Sequence, residues 1–108
     1  METYLSKILE ELEEGLKKIY GPRLKGLRLF GSQARGDAVE GSDIDVAVIL
    51  DDFSHAGKEI NHTVHFISQL SLKYNCVVGL IPIRENDWKF KQDPFLMNLR
   101  RESVAFND

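Results

Sequence analysis

Asp43 and Asp45 stand one residue apart at the end of the stretch GSQARGDAVEGSDID, residues 31–45, which also carries three glycines, two serines and one arginine. On a strand, residues two apart point to the same side, so the two carboxylates share a face and can share a hard cation. The turn before them suits an anion. A strand ending at Gly31 and Ser32, followed by one helical turn over Gln33 to Arg35, leaves backbone N–H groups facing outward toward a phosphate. Gly31 lets the backbone approach closely, the Ser32 hydroxyl adds a donor, and Arg35 adds a fixed positive charge. Loop and carboxylates then converge on one phosphate-bearing ligand and its cation. Two other loops fail on their own terms. A Walker-type loop needs lysine and a hydroxyl residue after its second glycine, where this chain has Asp37 and Ala38. A calcium loop opening at Asp43 needs a ligand at its fifth position and glycine at its sixth, where this chain has Ala47 and Val48.

Those residues need elements to hold them. Leu5, Ile8, Leu9, Leu12, Leu16 and Ile19 recur at helical spacing over residues 3–20, and Gly21-Pro22 stops the pattern. LKGLRLF, residues 24–30, alternates as a half-buried strand does and ends at Gly31. DIDVAVIL, residues 43–50, puts Ile44, Val46, Val48 and Leu50 on one face and Asp43, Asp45 and Ala47 on the other. Ile60, Val64, Ile67, Leu70 and Tyr74 predict a long helix over 56–74, and CVVGLIPI, residues 76–83, predicts a third, well-covered strand. Asp93-Pro94 reads as an N-cap and first helical residue opening a short helix to Arg101, with Leu96 and Leu99 facing inward. The expected fold is mixed α+β: a small three-stranded sheet backed by helices, its first two strands antiparallel, its second and third parallel across a helix. With no internal repeat, linker or low-complexity segment, residues 1–108 read as a single domain.

At GSQARGDAVEGSDIDVAV the chain resembles the minimal nucleotidyltransferases of the DNA polymerase beta superfamily, with their Gly-Ser, Arg-Gly and Ser-Asp-x-Asp signature at its usual spacing. The leading helix, the helix and strand after the signature, and the closing PFLMNLRRESVAF agree in outline, so the resemblance spans nearly the whole chain. It implies the nucleotidyltransferase fold and Mg²⁺-dependent transfer of a nucleoside monophosphate, AMP from ATP, to an acceptor with release of pyrophosphate. By family position, Asp43 and Asp45 are the catalytic metal ligands, and Gly31, Ser32, Arg35 and Ser42 hold the nucleotide. The resemblance also implies a neighbouring helical, toxin-like partner of the HEPN class, for which some of these nucleotidyltransferases are antitoxins that modify it with AMP, and it admits a homo-oligomer. The chain departs from the family on the third strand. Full members carry a further carboxylate in a VVDLV-like run, and this chain has VVGLI, with Gly79 in its place. In two-metal catalysis that carboxylate serves the ion that activates the attacking hydroxyl. Glu85 and Asp87, just past the strand, are the nearest substitutes in sequence, although acids after a strand more often open a helix. Two readings therefore stand: an active transferase that modifies a protein or other acceptor, and a catalytically degenerate nucleotide-binding or partner-binding regulator.

Composition narrows the rest. A net charge of −3 lacks the basic excess that binding to polyanions wants, so nucleic acid is not the default partner. No apolar run reaches the roughly 20 residues that span a bilayer, and the N-terminus mixes acids into an amphipathic pattern unlike a signal peptide, so the expectation is a cytoplasmic protein. Cys76 is the sole cysteine, which excludes an internal disulfide and a cysteine cluster for zinc. His62 and His65, three apart, and His55 have no carboxylate in register and read as solvent-facing. Trp88 and Phe90 read as a hydrophobic lid.

Overall fold

The computed structural model describes residues 3–36, 38 and 43–106. Helix α1 (Thr3–Tyr20) buries Leu5, Ile8, Leu9, Leu12 and Leu16, and a 3-10 turn over Gly21–Arg23 delivers the chain into β1 (Leu24–Phe30). After the short helix α2 (Ser32–Arg35), β2 (Ile44–Leu50) pairs antiparallel with β1, matching Phe30 to Asp45 and Arg28 to Ala47. Helix α3 (Ala56–Tyr74) then carries the chain across to β3 (Val78–Arg84), which lies parallel to β2 with Asp45 opposite Gly79. Helix α4 (Glu85–Phe90), helix α5 (Pro94–Glu102) and the two-residue strand β4 (Val104–Ala105) complete a sheet of order β3-β2-β1-β4. The expected strands and their directions are present, and β4 adds a fourth row, antiparallel to β1 at Arg28 and Leu29.

The sheet separates two cores because β2 alternates. Ile44, Val46, Val48 and Leu50 join Leu27, Leu29, Val78 and the buried stripe of α1 on the face that α1 and α3 cover. Ala47, Ile83, Leu96 and Leu99 form a smaller core on the other face, edged by Phe30, Ile81 and Trp88. The Asp93 carboxylate accepts the Leu96 N–H at 2.8 Å, so the expected N-cap opens α5. β3 begins at Val78, two residues later than the apolar run suggested, and Pro82 sits in this edge strand, where a missing N–H need not break a ladder bond.

Three expectations need correction. Ile19 lies off the buried stripe, and Tyr20 takes the inward place, its hydroxyl donating to the Glu59 carbonyl at 3.0 Å. Ile60 and Val64 are exposed; α3 turns Glu59 and Thr63 inward beside the expected Leu70. Glu59 tolerates burial because the Arg23 guanidinium lies 3.3 Å from its Oε1, a charge contact off the hydrogen-bond line, so that this oxygen accepts no hydrogen bond. Trp88 packs on the smaller core as a lid should, whereas Phe90 is 67% exposed.

Candidate active site

The end of β1 and the start of β2 meet the start of β3, and Asp45 lies where the three converge. Gly31 leaves β1 at φ +73°, a left-handed conformation that side chains rarely adopt. The N–H groups of Ala34 and Arg35 donate back to its carbonyl at 3.2 and 3.1 Å, which closes the single helical turn, and Gly36 ends that turn at φ +80°. A Cβ at Gly31 would stand 2.6 Å from Asp45 Oδ2, so the turn and the carboxylate are in direct contact. On the opposite side, a Cβ at Gly79 would stand 3.4 Å from Asp45 Oδ1. The carboxylate is thus flanked by two residues without side chains.

Asp43 is exposed and precedes β2 on the Asp45 side of the alternation. Burial pushes the Asp45 carboxyl above the usual carboxylate range, and the negative charge of Asp43 pushes it further. A bound cation would relieve both effects, and two carboxylates supply the hard oxygen donors that Mg²⁺ prefers. The donor set fits such an ion. Among the described residues no group of three or more His, Cys, Asp and Glu is placed to hold a metal. Glu85 and Asp87 do not fill the gap at Gly79. They follow Arg84, which pairs with Leu50 at the far end of β2, and they bind locally: Glu85 to Lys89 at 3.5 Å and Asp87 to Arg84 at 3.4 Å. His62 and His65 are exposed on α3, which covers the opposite sheet face.

The structure thus brings Gly31 and Asp45 together, with Asp43 and Gly79 beside them. Ser32 opens α2 next to Gly31, and Arg35 closes it at an exposed position. Ser42, Asp37 and Glu40 lie outside the described residues. Two features escaped sequence reasoning. Val77, whose carbonyl accepts the Ile44 N–H at 2.8 Å, stands beside Asp43 as an apolar rim residue, 60% exposed. Arg28, two pairs below Phe30 and Asp45, braces the sheet to β4: its Nε donates to Ser103 Oγ at 3.0 Å and its Nη2 to Ser103 O at 2.9 Å. Its charge inside an apolar strand was the only signal for it.

Compared with known proteins, the profile of the nucleotidyltransferase domain matches residues 9–101. The chain belongs to the nucleotidyltransferase family. It is similar to two Methanocaldococcus jannaschii proteins named as protein adenylyltransferases. The first is 32% identical over 93 residues, covering 81% of this chain and 87% of the relative, and the second is 33% identical over 75 residues, covering 69% and 75%. Among solved structures, a nucleotidyltransferase from Sulfolobus solfataricus superposes with a TM-score of 0.63 at 20% identity, over 92% of this chain and 78% of that one. A chain described as a toxin-antitoxin with AMP-PNP superposes at 0.62 with 19% identity, over 91% and 71%. These likenesses establish the fold, and the family makes this nucleotidyltransferase a transferase. Among the described residues no helix is long and apolar enough to cross a membrane.

Proposed function

We propose that residues 1–108 form a minimal nucleotidyltransferase domain that moves AMP from ATP to a hydroxyl on a partner protein. The contact that carries the reading is Gly31 against Asp45, which sets the phosphate-holding turn directly on the carboxylate that would share its cation. Asp43 and Asp45 would hold Mg²⁺, and Gly31, Ser32, Arg35 and Ser42 would bind the triphosphate. Held there, Mg²⁺ would supply charge neutralisation to the phosphates and to the pyrophosphate leaving group. The acceptor oxygen bonds to the α-phosphorus as the bond to the β-phosphate oxygen breaks, and the acceptor proton passes to solvent or to a base on the partner. Two relatives named as protein adenylyltransferases support AMP and a protein acceptor, and the structure described as a toxin-antitoxin with AMP-PNP supports a toxin as that acceptor; the HEPN class of the partner and a cytoplasmic setting are carried over from the sequence resemblance.

The test is mass spectrometry of that partner after incubation with the chain, ATP and Mg²⁺. A mass gain of one AMP, absent with Asp45→Asn, is the expected result. Nucleotide binding without transfer to any partner would favour the second reading, a regulator that works by contact, for which the missing third carboxylate at Gly79 is the supporting observation.

A further inference from the structure

A second concavity lies away from the aspartates. It is a groove of about 410 Å³ on the lower part of the sheet, within the range of roughly 300–1,000 Å³ in which small ligands are held. Ile49 marks its floor, four residues along β2 from Asp45 and therefore about 13 Å away along the strand. Beside Ile49 in register is Gly26, which follows an irregularity where the β1–β2 pairing slips by one residue at Lys25. A Cβ at Gly26 would meet Ile49 Cδ1 at 3.5 Å, an ordinary contact, so packing does not require glycine there. What its absent side chain does is leave the groove open. Glycines and bulges of this kind occur in strands where a ligand comes close to the backbone.

The walls have a consistent chemistry. The Arg28 guanidinium is fixed by its two bonds to Ser103 and stacks on the Trp88 ring at 5.5 Å, which gives the groove a rigid planar wall. Phe106 adds a second aromatic surface. Lys25 and Lys89 supply two ammonium groups. Glu13 is offset by Lys17 at 3.7 Å, and Glu85 lies 3.5 Å from Lys89, which a bound phosphate would share with it; Lys25, Arg28 and Lys89 against Glu13 and Glu85 leave the lining one positive charge in excess. Flat aromatic surface beside paired cations suits a ring bearing a dianion. We propose that this groove binds an aromatic phosphate, at a site separate from Asp43 and Asp45 and independent of transfer. The same chemistry is offered by a free nucleoside monophosphate and by a phosphorylated aromatic side chain on a peptide.

Trp88 is the only tryptophan, so its emission reads this groove alone. The experiment titrates the Asp43→Asn, Asp45→Asn double variant, in which the proposed cation site is disabled, with AMP, phenyl phosphate and inorganic phosphate. A saturable change in Trp88 emission with AMP or phenyl phosphate is expected, with inorganic phosphate at least about tenfold weaker. The stronger of the two identifies the source, AMP a free nucleotide and phenyl phosphate a modified side chain. Gly26→Val, which fills the groove, should abolish the change, with melting temperature reporting that the chain is folded. Lys25→Glu combined with Lys89→Glu, both exposed, should weaken binding at least tenfold even if the valine variant does not fold. No saturable change, a response matched by inorganic phosphate, or one indifferent to the lysine pair would overturn the proposal.

Discussion

The two faces of the sheet are built from the same strands and do opposite work. On the α1 and α3 side, β2 contributes four apolar residues at 0–2% exposure, with the buried Glu59 and Thr63 of α3 reaching in beside Val48. On the other side the same strand contributes Asp45, Ala47 and Ile49, and only Ala47 joins the small core. The first face is covered along β2 by α1 and α3, whereas the second is covered in the middle by Trp88, Leu96 and Leu99, with Asp45 beyond them at one end and the groove beside Gly26 and Ile49 at the other. Stability is thus concentrated on the sealed face, which leaves the other free to hold like charges together.

If that division is right, the largest loss of stability comes from the sealed face. Leu16→Ala should cost about 3 kcal/mol in urea denaturation, since a fully buried leucine leaves a cavity, while the folded variant keeps its nucleotide affinity. A loss below about 1 kcal/mol would mean that the faces share the load. Next is Asp43→Asn. Saturating Mg²⁺ and ATP stabilise a binding-competent chain by roughly 2.7 kcal/mol at a hundred times Kd, and most of that gain should vanish in the variant. An unchanged thermal shift would remove Asp43 from the site.

Gly79→Asp sharpens the comparison by adding charge to the open face. The register sets a carboxylate there beside Asp45, so apo protein should lose on the order of 1 kcal/mol, and Mg²⁺ should shrink or reverse that loss. Equal stability with and without chelator would show that the new carboxylate does not meet the pair. The smallest effect concerns Asp45 alone. Its carboxyl is held above the usual range, first by burial and then by Asp43, so the folded state disfavours the ion. Stability that is full below the ordinary carboxylate range is lost as pH rises through the folded-state value. Asp45→Asn should therefore raise the apo melting temperature by a few degrees at neutral pH, and the advantage should fade toward about pH 4. A constant difference across that window would assign the effect to shape instead of charge.

Long elements were legible in the sequence because periodicity needs length. Helix α1, helix α3, the three main strands and their directions all follow from apolar spacing, and Gly31 and Asp45 could be paired from signature and alternation. Helix α4 has six residues, four of them charged or polar by type, and is too short to show a period. β4 has two residues, and its anchor is the Arg28–Ser103 contact across 75 positions, which no local pattern encodes. The inward face of α3 was misjudged for a different reason. Glu59 and Thr63 look like surface residues, yet Arg23 and Tyr20 reach Glu59 from the other side of the chain and make its burial tolerable. The bulge at Lys25 and the groove it opens leave no trace in composition.

Pro82 has a consequence for how the protein behaves in a crowded solution. β3 ends the sheet on one side, and a flat sheet margin offers a row of backbone groups on which another chain can template itself. A proline in that margin removes a donor from the row, and the neighbouring exposed Ile60 and Val64 sit on a helix, not on the strand itself. Growth of the sheet from chain to chain is discouraged at this margin. Association at this margin is steered away from backbone pairing and toward side-chain contacts.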